Sequence, residues 1–214
     1  MNLTPSMLIF ATNHDESTAE SIQLAQSILD EKDKTLLGEA AIRQFLLPSL
    51  EAVAQQPLMI FSHGEKHRFI GNDGEPAFTM EDIALLAHRK SFVYACWTAV
   101  QLGKTAAKQP HCWYAGYNNA VITGGSDIPN EMQQIFRFIK NNFYALQKQE
   151  DILLFLQALA DLCNQTEAYY LEKYPESLDY IGIATTLRNI WAKLEIWTAN
   201  EKFAHPEAIE PLLW

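Results

Sequence analysis

The chain of 214 residues carries 16 Lys and Arg against 26 Asp and Glu, a net charge of −10, and is 48% hydrophobic and 20% charged. That balance excludes wholesale disorder. With no Lys/Arg cluster, it also argues against nucleic acid and anionic membranes as partners, whereas a basic peptide would be attracted. The length fits one domain with a helical extension.

Met1 to Pro5 has neither the basic start nor the apolar core of a signal peptide. The most apolar window, Ile152 to Leu162, is broken by Gln157 and Asp161 and falls far short of the about 18 residues of a membrane span. The expectation is a cytoplasmic protein with no membrane span. Three cysteines without framework spacing fit free thiols in a reducing compartment. No CxxC or HExxH pattern suggests a metal and no GxxxxGK[ST] loop suggests a nucleotide, so no cofactor is expected.

In chain order, Met7 to Thr12 reads as a first buried strand, followed by the loop Asn13-His14-Asp15-Glu16. Ser17-x-x-Glu20 has the form of a capping box, opening a helix with Ile22, Ala25, Ile28 and Leu29 on its apolar face. Residues 39–55 form a second helical stretch, which Pro48 must kink or divide. Leu58-Met59-Ile60-Phe61 is an uncharged strand that ends abruptly in Ser62-His63-Gly64. The turn signal Gly71-Asn72-Asp73-Gly74 between two short runs predicts a hairpin, and Thr79-x-x-Asp82 caps the helix after it. Ser91 to Ala95 is a further buried strand, ending in Cys96-Trp97-Thr98. Residues 99–107 read as helix, 113–123 as one or two strand pieces, and Gly124-Gly125 as a turn that could border a substrate groove.

From Pro129 the pattern is helical. The stripes run from Met132 to Leu146, from Ile152 to Leu162, and through Leu187, Ile190, Trp191, Leu194 and Trp197. Residues 201–214 show no period and read as a tail. Strands alternating with helices, and then helices alone, predict an α/β fold. Its parts are a core over residues 1–128, built on a mostly parallel sheet flanked by helices, then a helical extension packed on it over 129–200, and the tail.

If the two strands are parallel and in one sheet, His63 and Cys96 emerge at the same carboxyl edge, where open α/β sheets gather their chemistry. A thiol nucleophile needs a base beside it, and imidazole is the usual one. The bland alternative for a strand-end cysteine is packing, which is the reading kept for Cys112 and Cys163. His67 is the rival base, but no glycine follows it.

The strings Phe61-Ser62-His63-Gly64 and Val93-Tyr94-Ala95-Cys96, separated by a hairpin and a helix, resemble the caspase-like cysteine peptidases. That superfamily includes the CHAT-domain, gingipain, clostripain and separase families. The resemblance covers roughly residues 7–125 and implies a caspase-like sheet. It implies Cys96 as nucleophile, His63 as general base and acid, and the Gly64 and Cys96 amides as oxyanion hole. Asp15, placed after the first strand as in Arg-specific relatives, would bind a basic P1 side chain; alternatively it only favours the N-terminus of the following helix. Trp97 would shape a subsite. A protein or peptide substrate is the implied partner, with a regulatory or activator protein as a second. Stand-alone bacterial relatives suggest a role in defence or regulated cell death. The competing expectations are a catalytically silent interaction module and, last, a thiol hydrolase with a Gly-x-Cys-x-Gly elbow, which Ala95-Cys96-Trp97 does not match.

Overall fold

The computed structural model describes residues 6–16, 18–121, 129–176, 179–199 and 201–209. In chain order it runs β1 (Leu8–Ala11), α1 (Ala19–Ser27), β2 (Lys34–Leu37), α2 (Arg43–Ala52) and β3 (Leu58–Phe61). A small hairpin sheet follows, of β4 (Gly64–Glu65), β5 (Arg68–Ile70) and β6 (Pro76–Thr79), then a 3₁₀ helix over Met80–Leu86 and β7 (Lys90–Tyr94). A π-helical turn, Ala99–Gly103, runs into α3 (Lys104–Ala106) and then β8 (Trp113–Tyr117). The last elements are α4 (Pro129–Phe143), α5 (Glu150–Lys173), α6 (Asp179–Ala192), β9 (Leu194–Thr198) and β10 (Glu201–Ala204).

The main sheet has seven strands in the order β10-β9-β8-β7-β3-β1-β2. From β2 to β8 all neighbours are parallel, while β9 and β10 are antiparallel. β1 and β3 are buried at every position, as uncharged runs covered on both faces must be. Side chains alternate between two cores. Met59, Phe61, Phe92 and Tyr94 pack towards α1, α4, α5 and α6. Leu58, Ile60, Val93 and Ala95 pack on the opposite face with Leu46 and Leu50 of α2, Leu86, and Leu102 and Ala106. The structure thus has the expected α/β architecture, a mostly parallel sheet flanked by helices with further helices towards the C-terminus.

Local signals with a specific chemistry are met in the structure. The hairpin forms around Gly74, whose φ of 79° is a left-handed turn position. Thr79 and Asp82 form a reciprocal capping box at the start of the 3₁₀ helix. Among the described residues no helix is long and apolar enough to cross a membrane.

Other expectations need correction. Helix α1 starts at Ala19, with Thr18 at its cap position making no side-chain cap bond; Ser17 lies outside the described residues. Pro48 sits inside α2 without dividing it, the helix running unbroken to Ala52. The stretch of 39–55 splits earlier, into a 3₁₀ turn over Gly38–Ala40 and α2. Strand β2 was not expected, because it is a partly exposed edge strand without an apolar run. Leu194 and Trp197, read as the end of a helical stripe, lie in β9, and residues 201–204 of the expected tail pair with it as β10. A three-residue spacing fits a helix, yet β9 buries Leu194 and Ile196 on one face at the period of a strand. Gly124-Gly125 falls outside the described residues.

The β9–β10 hairpin turns through Ala199 at φ 49°. An L-residue there costs on the order of 1 kcal/mol, partly offset by the lower backbone entropy of alanine in the unfolded chain. Ala199→Gly is therefore expected to raise stability by about 0.5 kcal/mol, read as an upward shift of the urea midpoint at constant slope. A downward shift would contradict the left-handed turn.

Candidate functional site

β3 and β7 are parallel neighbours in register, with Phe61 opposite Tyr94. His63 and Cys96 each stand two residues past that last pair, at the carboxyl edge of the sheet. Both line one cavity of about 230 Å³, with Thr18, Ser21, Ser62, Tyr94, Ala95 and Val121 completing its wall. The structure thus brings the two sequence-predicted residues to one place. Cys112 and Cys163 are buried in the two opposite cores. Burial pushes the Cys112 thiol up to about 12 and raises that of Cys163 as well, so both stay protonated and inert.

His63 is fixed from both sides. Its backbone carbonyl accepts from Ile70 N–H at 3.0 Å, and the preceding Ser62 hydroxyl donates to the Ile70 carbonyl, tying the strand end to the hairpin. Its ring Nε2 meets Asp15 Oδ2 at 2.7 Å. A carboxylate only accepts, so Nε2 donates in this bond, and in the neutral form of the ring Nδ1 is the acceptor. Asp15 is itself oriented, its Oδ1 accepting from Thr18 N–H at 3.1 Å and from the Thr18 hydroxyl at 3.0 Å. The sequence reading gave Asp15 a substrate-binding role or a helix-terminus role. The geometry adds a bond to the imidazole, which only the register of β1 beside β3 makes visible. His67 is exposed on the hairpin, with Glu65 at 3.9 Å.

Gly64 approaches the cysteine turn closely. A Cβ at this position would overlap the Cys96 carbonyl oxygen and lie 2.8 Å from both Ala95 Cβ and Thr98 Cγ2. Glycine lets the two segments pass without either one shifting. On the other side of that contact Trp97 holds φ 62°, a conformation that a bulky residue adopts only when the surroundings impose it. Its N–H donates to the Asn119 carbonyl at 3.2 Å. Trp97 is half-buried and does not belong to the described wall of the cavity.

The segment after β8 grips the sulfur. Val121 N–H donates to Cys96 Sγ at 3.2 Å, and the thiol lies 3.7 Å from the Val121 carbonyl as donor. That segment is anchored by the C-terminal region. Asn118 N–H donates to the Lys193 carbonyl at 3.0 Å, the Asn118 amide donates to Glu195 and to the Ile209 carbonyl, and Lys193 Nζ donates to the Ala120 carbonyl at 2.7 Å. Burial lowers the Lys193 ammonium, with the nearby Cys96 sulfur pulling the other way. Sequence reasoning missed Val121, Lys193 and Asn118, since no motif marks a backbone amide aimed at a thiol or a lysine that braces a loop.

The sequence matches no protein-family model and no curated protein.

Proposed function

We propose that the chain is a cysteine endopeptidase of caspase-like type, cleaving a protein partner after a basic residue. The observation that carries the reading is the meeting of His63 and Cys96 in one cavity at the ends of adjacent parallel strands, with the imidazole oriented by Asp15. His63 Nδ1 takes the Cys96 thiol proton once the side chain turns from Val121, and Asp15 stabilises the imidazolium that forms. The thiolate attacks the scissile carbonyl, and the Gly64 and Cys96 amides hold the oxyanion. The imidazolium returns the proton to the leaving amine, and water, activated by the same imidazole, hydrolyses the thioester. Asp15 would also meet a basic P1 side chain, and Trp97 would shape a neighbouring subsite, as the resemblance implies. Service in a bacterial defence or cell-death system is the biological setting that the resemblance suggests.

A specific observation favours a second reading, a catalytically silent or latent caspase-like module that binds a partner. The described hydrogen bonds of the thiol go to Val121 and not to His63. Labelling with a peptidyl-Arg acyloxymethyl ketone, followed by mass mapping, separates the two. The peptidase reading expects modification at Cys96 that Cys96→Ala and His63→Ala abolish. Asp15→Ala should slow it by about 100-fold or more, as expected when the imidazole loses its orienting carboxylate. No labelling of folded protein across several P1 side chains would favour the module, and labelling at Cys112 or Cys163 would sink the site assignment.

A further inference from the structure

His14, the residue before Asp15, meets the same carboxylate oxygen as His63. Its Nε2 lies 3.4 Å from Asp15 Oδ2, the oxygen that meets His63 Nε2 at 2.7 Å. The two imidazoles stand edge to face with their centres 5.0 Å apart. One ligand atom from each of the three residues lies within 4.8 Å of the others. A tetrahedral zinc with bonds of about 2.0–2.1 Å separates neighbouring ligand atoms by roughly 3.3 Å, so side-chain adjustments of under an ångström or so convert the cluster into a three-ligand site.

Further features resemble those of a built metal site. The carboxylate is oriented by Thr18 through its other oxygen, as ligating carboxylates are. The His14–Asp15 loop is pinned to the hairpin by Asn13 N–H donating to the Asn72 side-chain oxygen at 2.8 Å. The cluster borders an open cleft of about 500 Å³ lined by His14, His63, Gly64, Glu65 and Arg68 among others, which gives an ion access and leaves room for a water as fourth ligand. Two imidazoles and one carboxylate suit a borderline transition metal rather than Mg²⁺ or Ca²⁺, which prefer all-oxygen shells. The net charge of −10 raises the local concentration of any cation.

We propose that His14, Asp15 and His63 form a binding site for a divalent transition-metal ion of the zinc class, and that the bound ion withdraws His63 from Cys96. The second half rests on the peptidase reading; the first does not. With the ion on Nε2, the proton of the neutral ring moves to Nδ1, and no lone pair remains to accept the proton of the thiol. The ion replaces the His63–Asp15 hydrogen bond, and no electron is transferred. Free metal thereby becomes a brake on the site.

The test uses the full chain freed of metal by chelator. Calorimetry with Zn²⁺ should give one site that millimolar Mg²⁺ and Ca²⁺ do not compete away. His14→Gln and His14→Ala should each weaken it about tenfold or more, since even loss of a supporting group commonly costs that much. Co²⁺ should give visible bands of a nitrogen–oxygen site without a thiolate charge-transfer band. Zn²⁺ should also slow ketone labelling of Cys96 in wild type but not in His14→Gln. Unchanged binding in both His14 variants, or a thiolate band that Cys96→Ala removes, overturns the site. Metal binding without any labelling would leave the site standing and remove the peptidase reading. Labelling without metal binding would do the reverse.

Discussion

Gly64→Ala is expected to lower the rate of ketone labelling at Cys96, or of cleavage of a peptidyl-Arg substrate, by about 100-fold or more, the usual effect of losing one oxyanion donor. The added methyl would strike the Cys96 carbonyl, which is backbone and cannot swing aside as a flexible side chain can. Relief requires β4 to retreat from the cysteine turn, and the Gly64 amide leaves with it. A stability loss of about 1–3 kcal/mol should accompany the change, as for other overpacked sites. Alkylation by iodoacetamide, which needs no oxyanion donor, should fall far less than labelling by the ketone. A folded Gly64→Ala protein that labels at the wild-type rate would remove the Gly64 amide from the proposed mechanism.

The largest effect on stability is expected from Lys140→Met. Lys140 lies on α4 with its side chain 2% exposed, and its ammonium reaches the Ile28 carbonyl at 2.6 Å, Asp33 at 2.5 Å and Asp30 at 2.8 Å. Asp33 is wholly buried at the side chain and also accepts from Met7 N–H and Asp30 N–H. Methionine keeps the bulk but leaves the Asp33 carboxylate buried without its cation, a loss of about 3 kcal/mol. Urea unfolding should show it, and Lys140→Met combined with Asp33→Asn should recover part. The bond from Lys140 also holds the Asp30 carboxyl below its ordinary value of 3.8, against an opposing effect of burial. A depressed carboxylate contributes stability above the unfolded pKa and loses it as pH falls through the folded one. That part of the acid limb should therefore be missing from the variant. A loss under about 1 kcal/mol would mean that the Asp33 backbone donors suffice on their own.

What was legible in the sequence had a local physical signature. Leu58 to Phe61 and Ser91 to Ala95 are uncharged and too short for helices, so they read as buried strands, and the residues that follow them read as edge residues; the structure has these strands as Leu58–Phe61 and Lys90–Tyr94. Thr79 and Asp82 carry their chemistry within one turn. What was illegible depends on register or on chain folding back. The bond between His63 and Asp15 joins positions 48 apart and exists only because β1 pairs with β3. β2 is an edge strand whose Lys34 and Thr35 face solvent, so burial left no pattern to read. β9 was hidden by an apolar spacing that helix and strand share over so few residues, and with it went the contribution of Lys193 to the site.

The placement of the two strands divides the site mechanically. β3 and β7 lie inside the sheet, flanked by β1 and β2 on one side and by β8, β9 and β10 on the other. Parting the strand ends that carry His63 and Cys96 means breaking the β3–β7 ladder, which belongs to the last structure to open. Asp15 and Val121, by contrast, reach the pair from loops beyond β1 and β8, whose local opening costs only a fraction of global unfolding. The spacing of the two strand ends is therefore as durable as the sheet itself. The orientation of imidazole and thiol depends instead on the two loops that hold them.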